Sequence, residues 1–330
     1  MTNDNQSRRR FIREAGLATG AVVGTSILPS ESAAAQGRGA AVSAATGGPT
    51  AMSKGARFRA ALATGEPLVL PVVESIMLTR LAEMEGFKAG FLGGSGIANR
   101  NALPNTSIQT VQEVIDYEVE IMSNTDLPFL VDGENGGGSP IVTYRTTQQL
   151  ERGGAACIMI EDTSGPESEY AGKGATLAPI PVMVGRIKAA LDARTDQTMM
   201  IMARIHRPAK GYSEQETMDL AGQLSAAGCD AFYLTGFSLE QQQKAKAVLK
   251  KPLMVGSAGP AAEWHSKGVD MAYYHIDSIG VGAMYMALKE LKATGKFTEA
   301  AKMNLPRDIA NRAIHQQDWL SRAKKYGVIG

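Results

Sequence analysis

Residues 127–134 read Leu127-Pro128-Phe129-Leu130-Val131-Asp132-Gly133-Glu134, and residues 156–162 read Ala156-Cys157-Ile158-Met159-Ile160-Glu161-Asp162. Each stretch is a continuous apolar run that ends in acidic residues. Continuous apolar runs of this length, rather than alternating ones, are typical of parallel strands that are buried on both faces. The two stretches therefore predict an α/β fold that is built on a parallel sheet.

The same pattern recurs along the chain from residue 53. Eight runs are candidate strands: Leu68–Val73, Ala89–Gly93, Pro128–Asp132, Ala156–Glu161, Met199–Arg204, Ala231–Thr235, Leu253–Gly256 and Asp270–Tyr274. Segments with apolar residues three and four positions apart separate them: Ile76–Glu85, Thr110–Ser123, Thr147–Gly153, Pro181–Ala193, Glu214–Ala227, Leu239–Leu249 and Ser278–Ala293. Eight strands that alternate with helices predict a (β/α)8 TIM-type barrel, and a doubly wound open sheet is the alternative. A polar helical extension follows Gly295.

Composition narrows the class of protein. The 330 residues are 44% hydrophobic and carry a formal net charge of +1, with no charged block beyond the first residues. We therefore expect a full hydrophobic core and no nucleic-acid partner. The two cysteines, Cys157 and Cys229, follow similar phrases and indicate small buried side chains at strand starts, with a disulfide between them as the alternative.

The N-terminus has the order of an export signal. Ser7-Arg8-Arg9-Arg10-Phe11-Ile12 precedes a mildly apolar run from Ala15 to Leu28, and Ala33-Ala34-Ala35 offers a cleavage site. This order resembles a twin-arginine signal, and the apolar run is too short for a permanent membrane span. We expect a signal peptide at 1–35, a linker at 36–52, the barrel at 53–295 and C-terminal helices at 296–330. The expected partner is the twin-arginine export machinery, and the expected location is periplasmic or secreted.

Acidic residues end two successive candidate strands. In a barrel, the carboxyl ends of the strands form the functional face. If the extended backbone continues to Glu134, its side chain points to the same side as that of Asp132, and Glu161 on the next strand meets both. Three converging carboxylates fit a hard divalent cation such as Mg²⁺. The alternative is that Asp132 and Glu134 shape a glycine-rich turn and Glu161 caps the next element.

An ordered series of motifs carries a family resemblance. It comprises Leu70-Pro71, Arg80-Leu81-Ala82-Glu83-Met84-Glu85-Gly86-Phe87-Lys88-Ala89, Gly93-Gly94-Ser95-Gly96, the stretches 127–134 and 150–162, Ala203-Arg204, and Ala226-Ala227-Gly228-Cys229-Asp230-Ala231. From about residue 55 to 295 the chain resembles the isocitrate lyase/phosphoenolpyruvate mutase superfamily. The resemblance implies small 2-oxo or 2-hydroxy carboxylates as substrates and a Mg²⁺ or Mn²⁺ cofactor.

The resemblance also assigns a metal site and a substrate site. Asp132 and Glu161 match metal-site residues of the family, and Glu134 replaces a second metal-site Asp with one more methylene. Arg204 matches the arginine that holds a substrate carboxylate, a task that suits its planar fork.

Three more positions complete the implied substrate site. Gly93 and Gly94 fall where the family's backbone N–H groups contact that carboxylate, and Ser95 supplies a hydroxyl there.

Other positions depart from the family. Its lyases carry a Cys and a His in a loop after the fourth strand, whereas residues 163–173 have neither, so Glu169, Tyr170 and Lys173 are the candidates to move a proton there. The family's Tyr-Asp pair after the first strand is Glu74-Ser75 here.

The fifth and sixth strand ends depart as well. The Asp after the family's arginine is His206, and the Glu that closes the sixth strand is Thr235. His206 is a candidate general base or metal ligand, with a rim histidine as the alternative.

These features together predict a Mg²⁺-dependent enzyme. We expect carbon–carbon bond cleavage through an enolate-like intermediate in a small 2-oxo or 2-hydroxy acid. The alternatives are carbon–phosphorus chemistry, hydrolysis of an oxaloacetate-like acid, and an exported carboxylate-binding protein without catalysis. The resemblance further implies a homotetramer or homodimer, assembled through the C-terminal helices.

Overall fold

The computed structural model describes residues 52–104, 108–165, 176–256 and 259–329. Its eight strands are β1 (Leu68–Pro71), β2 (Gly90–Leu92), β3 (Phe129–Asp132), β4 (Cys157–Glu161), β5 (Met200–Ile205), β6 (Ala231–Leu234), β7 (Leu253–Gly256) and β8 (Met271–Tyr274). All the predicted strands are present, with ends within two residues of those expected.

Twelve α-helices are found in the described part of the chain. They are α1 (Lys54–Leu62), α2 (Ile76–Met84), α3 (Gly94–Asn101), α4 (Val111–Met122), α5 (Pro140–Gly153), α6 (Ile180–Ala193), α7 (Glu214–Ala226), α8 (Leu239–Leu249), α9 (Ala261–Ser266), α10 (Ile276–Thr294), α11 (Arg307–Ala313) and α12 (Gln316–Lys325). Short 3₁₀ turns lie at Pro208–Lys210 and Ala300–Met303.

The strands form one parallel sheet that is nearly closed into a barrel. Seven ladders join the strands in the order β1-β8-β7-β6-β5-β4-β3-β2. Between β1 and β2 the contact is a single parallel bridge, Val72 to Phe91, together with the Val73 N–H, which donates to the Phe91 carbonyl at 3.2 Å. The predicted (β/α)8 barrel is therefore confirmed, and the open doubly wound sheet is not found.

Local signals explain several helix starts. Thr110 with Glu113, Ser213 with Glu216 and Ser238 with Gln241 form capping boxes that start α4, α7 and α8. The prediction for α5 began seven residues late, because Ser139 as N-cap and Pro140 as first residue were not recognised as a start signal. Helix α3 was missed because its glycines have low helix propensity, which the packing of Ile97 and Ala98 overrides.

Side chains fill both the inside of the barrel and the layer between strands and helices. The interior cluster includes Leu70, Phe91, Met159 and Met202, and the larger cluster beneath the helices includes Phe129, Ile187 and Phe232. Cys157 and Cys229 lie fully buried as free thiols, as small core side chains should. Within the described ranges, no helix is both long and apolar enough to cross a bilayer.

Helix α10, which follows β8, differs from most of the other barrel helices in what it buries. In α10 only Asp277 is buried, whereas Ile279, Tyr285 and Leu288 are each more than 60% exposed. An exposed apolar surface of this extent is typical of a protein–protein interface.

Candidate active site

Three charged side chains meet at the carboxyl ends of neighbouring strands. Asp132 is the last residue of β3 and Glu161 is the last residue of β4, where it is the register partner of Arg204 in β5. Asp132 and Glu161 retain only 6% and 4% of their surface. Parallel pairing thus delivers two buried carboxylates and one guanidinium to the same edge of the barrel.

Arg204 lies between the two carboxylates. Its Nη1 is 3.4 Å from Glu161 Oε2 and 3.7 Å from Asp132 Oδ2, and its guanidinium lies 5.2 Å from the centre of the Tyr233 ring. Burial lowers the pKa of Arg204, whereas the negative charges of Glu161 and Asp132 raise it. The net result is a pKa above the ordinary value. The guanidinium therefore stays charged, and the N–H groups at its edge are suited to bind a carboxylate.

The pKa of the Asp132 carboxyl is raised despite the nearby positive charge of Arg204. Burial raises its pKa to about 6; Arg204 opposes that shift and Glu161 adds to it. A further positive charge between Asp132 and Glu161 would favour the ionised form. This is the chemistry expected of a cation site built from hard oxygen donors.

Glu134 does not follow the strand geometry that the sequence argument assumed. The strand ends at Asp132, and Glu134 has a positive φ of 49°, with its N–H donating to Asp132 Oδ1 at 3.1 Å. Its carbonyl accepts the Glu161 N–H at 2.9 Å, so the turn is tied to β4. Across the described ranges, no three His, Cys, Asp or Glu side chains are grouped to hold an ion. The role of Glu134 as a metal ligand stays a prediction.

A buried carboxyl that the sequence analysis missed lies behind this site. Glu118 on α4 is 1% exposed, and neither of its side-chain oxygens has a hydrogen-bond partner of good geometry. Burial, with Asp132 and Glu134 nearby, raises its pKa well above the usual value. The signal was available, since Glu118 is four residues from Val114 and from Met122, on the apolar face of α4.

His206 is enclosed by carboxylates. Its backbone N–H donates to Asp162 Oδ1 at 2.8 Å, its Nδ1 is 3.2 Å from the same oxygen, and its Nε2 is 3.6 Å from Glu161 Oε2. Glu161 also accepts the Thr163 hydroxyl at 2.6 Å. Because both ring nitrogens of His206 face carboxylates, this histidine orients Glu161 and Asp162, and its part as a general base stays a prediction.

A buried arginine fixes the loop that carries these residues. Arg186 of α6 is 1% exposed and donates to the carbonyls of Glu161 at 3.1 Å, Thr163 at 2.7 Å and Gly138 at 2.7 Å. It thereby joins the end of β4 to the glycine-rich turn after β3.

The predicted substrate-binding glycines lie at the start of a helix. Gly93 is the N-cap of α3, and Gly94 and Ser95 are its first two residues. First-turn N–H groups have no partner within the helix and favour anions. The Ser95 hydroxyl donates to Asp277 Oδ2 at 3.3 Å rather than standing alone.

A histidine that the sequence analysis did not single out also lies at this face. His275 follows β8, and its Nδ1 is 3.0 Å from Asp277 Oδ1. The sequence gives only a weak signal for this pair, a His and an Asp two residues apart just after a strand. The candidates Glu169, Tyr170 and Lys173 lie outside the described residues.

Sequence comparison finds a matching family model and similar enzymes. The family model described as phosphoenolpyruvate phosphomutase matches residues 58–298. The oxaloacetate decarboxylase of Chromohalobacter salexigens is 35% identical over 205 residues, which cover 61% of this chain and 70% of that protein. The 2-methylisocitrate lyase of Shewanella oneidensis is 32% identical over 250 residues, which cover 73% and 85%.

Solved structures share the fold at lower identity. Phosphoenolpyruvate phosphomutase from Streptomyces platensis subsp. rosaceus superposes with a TM-score of 0.75 at 23% identity, covering 82% of this chain and 99% of that one. Phosphonopyruvate hydrolase, in a complex with oxalate and Mg²⁺, gives 0.74 at 22% identity, covering 83% and 99%. Both similarities concern the architecture.

Proposed function

The chain belongs to the phosphoenolpyruvate phosphomutase family, within the isocitrate lyase/phosphoenolpyruvate mutase superfamily, and on this premise we propose that it is a Mg²⁺-dependent carbon–carbon lyase. The proposed substrate is a small 2-oxo or 2-hydroxy carboxylic acid. The observation that carries the proposal is the placement of Arg204 between Asp132 and Glu161. In this arrangement a guanidinium that can bind a substrate carboxylate lies next to two carboxylates that can bind a metal ion.

The donor atoms fit a divalent metal. Asp132 and Glu161 would hold it, with Glu134 on the adjoining turn. Burial is the main cause of the raised pKa of Asp132; Arg204 opposes it and Glu161 adds to it. When bound, Mg²⁺ or Mn²⁺ supplies Lewis acidity that stabilises negative charge on the substrate oxygens.

The remaining groups of the site bind and orient the substrate. Arg204 offers a bidentate contact to the substrate carboxylate, and the N–H groups of Gly94 and Ser95 offer further donors from the start of α3. Tyr233 supports the guanidinium from below. Asp162, His206 and Thr163 hold Glu161 in place through the contacts described above.

The relatives support the proposed form of the reaction. A similar protein is an oxaloacetate decarboxylase, which favours an oxo-diacid that loses CO₂ as one form of the cleavage. Hydrolysis of an oxaloacetate-like acid is the second candidate, and phosphonopyruvate chemistry is a further alternative within the shared fold.

Location and assembly are part of the proposal. We propose export by the twin-arginine machinery to the periplasm or beyond, on the basis of Arg8-Arg9 and the run that follows. We also propose a homodimer or homotetramer, supported by the exposed apolar side chains of α10.

A product-resolved screen tests the function. Purified full-length protein is incubated with small oxo- and hydroxy-acids, with Mg²⁺ or with a chelator, and the products are resolved by chromatography. Metal-dependent release of pyruvate or glyoxylate supports the lyase. Acetate with oxalate from oxaloacetate identifies the hydrolase instead, and binding without turnover identifies a carboxylate-binding protein.

A further inference from the structure

A pair of tyrosines lines the barrel interior next to Arg204, on the side away from Asp132 and Glu161. Tyr233 of β6 is the register partner of Arg204 in β5, and the centre of its ring lies 5.2 Å from the guanidinium carbon. Tyr273 lies two strands further round the barrel, in β8, and the two tyrosine rings meet edge-on at 6.0 Å. Their hydroxyl oxygens are 3.2 Å apart. The tyrosines therefore join β6 to β8 across the strand between them.

The hydroxyls meet because the intervening strand has a glycine at this level. Gly256 of β7 is the register partner of Tyr273, and it follows Met254, the register partner of Tyr233, by two residues. Positions two residues apart in a strand face the same side, so position 256 faces the interior as Met254 does. A Cβ at Gly256 would lie 2.7 Å from the Tyr273 hydroxyl and 3.2 Å from the Tyr233 hydroxyl. The missing side chain leaves the room in which the hydroxyls pair.

Packing holds both rings in place. Tyr233 is 9% exposed and belongs to the cluster that fills the barrel. The Tyr273 ring lies between that of Tyr233 and that of Phe91, whose centre is 5.1 Å away. Because the hydroxyls are already positioned before a ligand binds, a ligand that contacts them loses less free energy to side-chain ordering.

The hydroxyl pair has one proton more than its internal hydrogen bond uses. Each phenol carries one proton, so when one hydroxyl donates to the other, the accepting hydroxyl has a donor to spare. Among the described residues, neither hydroxyl has a second hydrogen-bond partner. Burial raises the pKa of Tyr273, and Tyr233 adds to this shift, so that the Tyr273 hydroxyl stays protonated at neutral pH. Since buried phenols usually find a partner, the spare donor indicates a ligand that supplies an acceptor.

A neutral donor suits this part of the site. Arg204 lies between the hydroxyl pair and the two carboxylates that would hold a metal ion. A second cation here would compete further with the metal for Asp132 and Glu161, whereas a phenol adds a hydrogen bond without adding charge. The acceptor that the proposed substrate brings to Arg204 is a carboxylate oxygen, and hydrogen bonds to charged acceptors are the stronger ones.

We propose that the hydroxyl pair of Tyr233 and Tyr273 binds the substrate, donating its spare proton to an oxygen of the carboxylate that Arg204 holds. This inference rests on the proposed function. It adds two strands, β6 and β8, to the substrate site and makes Gly256 the residue that keeps the contact open. The pair positions the substrate, and neither tyrosine gives up its proton during the reaction.

Oxalate binding to the full chain tests the contact. Calorimetry with saturating Mg²⁺ compares the parent with Tyr233→Phe, Tyr273→Phe and the double variant. Phenylalanine keeps each ring and its packing, so a change in affinity reports the hydroxyls alone. We expect the double variant to bind oxalate about 10- to 100-fold more weakly, with its affinity for Mg²⁺ unchanged. The single variant that shows most of this loss identifies the hydroxyl that contacts the ligand.

A matched control lies one residue further along β8. The Tyr274 hydroxyl donates to the Gly259 carbonyl at 2.8 Å, and this tyrosine packs in a separate cluster with Val255 and Ala272. Tyr274→Phe should therefore bind oxalate as the parent does. Gly256→Ala should weaken oxalate binding, because the added methyl group displaces both hydroxyls, and it should leave the affinity for Mg²⁺ unchanged.

An NMR readout separates ligand contact from structural support. The protein has nine tyrosines, and ¹³C labelling at their Cζ atoms gives signals that the Phe variants assign. We expect the signal of Tyr233 or Tyr273 to shift when oxalate binds, while that of Tyr274 stays in place. If the double variant binds oxalate as tightly as the parent, or if neither signal responds, the inference is wrong and the proposed function stands. If the parent binds neither Mg²⁺ nor oxalate, the proposed function fails and this inference fails with it.

Discussion

Arg204 and Glu161 are register partners on adjacent parallel strands, and the Arg204 Nη1 lies 3.4 Å from Glu161 Oε2. Asp132 lies on the other side of the same nitrogen, at 3.7 Å. The arginine therefore holds together two carboxylates that would otherwise repel each other. A metal ion and this guanidinium would compete for the same negative charge.

The first prediction concerns the pH dependence of stability without metal. The folded-state pKa of Asp132 is raised to about 6, and that of Glu118 lies well above the pKa of a free carboxyl. Both groups therefore bind protons more tightly in the folded state than in the unfolded state. Their stabilising contribution is complete below the unfolded pKa and is lost as pH rises through the folded one. In chelator, the free energy of unfolding should fall as pH rises from about 4 to 6.

Denaturant unfolding at each pH measures this slope. Asp132→Asn and Glu118→Gln should each flatten it, because the amides do not ionise. Glu120→Gln, on the exposed side of α4, serves as the control. A parental slope retained in both amide variants would show that neither carboxyl is perturbed.

Much of this architecture was readable from the sequence, and particular residues show why. The runs that end at Asp132 and Glu161 are apolar because both faces of each strand are buried, so one local pattern predicts both the strand and its acidic end. The Asp277–His275 contact depends on how α10 leaves β8, which no periodicity reveals. Glu134 departs from expectation because the chain turns to a positive φ one residue beyond Gly133.

The second prediction concerns assembly. Ile279, Met284, Tyr285 and Leu288 expose a broad apolar face on α10, and a second copy of the chain would cover it. Light scattering should find a homo-oligomer for the full chain, whereas a chain that ends at residue 296 should be a monomer, because it lacks the helices at 296–330 with which a second copy would cover that face. A monomeric full-length protein would rule out this arrangement.

The third prediction concerns export. The double substitution Arg8→Lys and Arg9→Lys keeps the charge but removes the twin-arginine motif. We expect the precursor to accumulate in the cytoplasm, as measured by fractionation and immunoblotting. An Arg13→Lys variant is the control and should be exported, and normal export of the double variant would mean that another route is used.

The fourth prediction concerns substrate choice. The chain has no cysteine within residues 163–173, and it has Glu74, Ser75, His206 and Thr235 at positions where the resemblance described above implies other residues. We expect negligible turnover of isocitrate and 2-methylisocitrate with Mg²⁺, while another small oxo- or hydroxy-acid is processed. Efficient glyoxylate release from isocitrate would contradict this prediction, despite the similarity to a 2-methylisocitrate lyase.

The most direct test of the central claim is calorimetric titration of metal-free protein with Mg²⁺, in the parent, Asp132→Ala and Arg204→Ala. The account predicts that Asp132→Ala loses affinity because a metal ligand is gone. Arg204→Ala should gain affinity, because the competing guanidinium is removed, and should lose oxalate binding. Arg100→Ala, in the exposed pair with Glu120, should match the parent. If Asp132→Ala binds Mg²⁺ as tightly as the parent does, the metal site is elsewhere and the account is wrong.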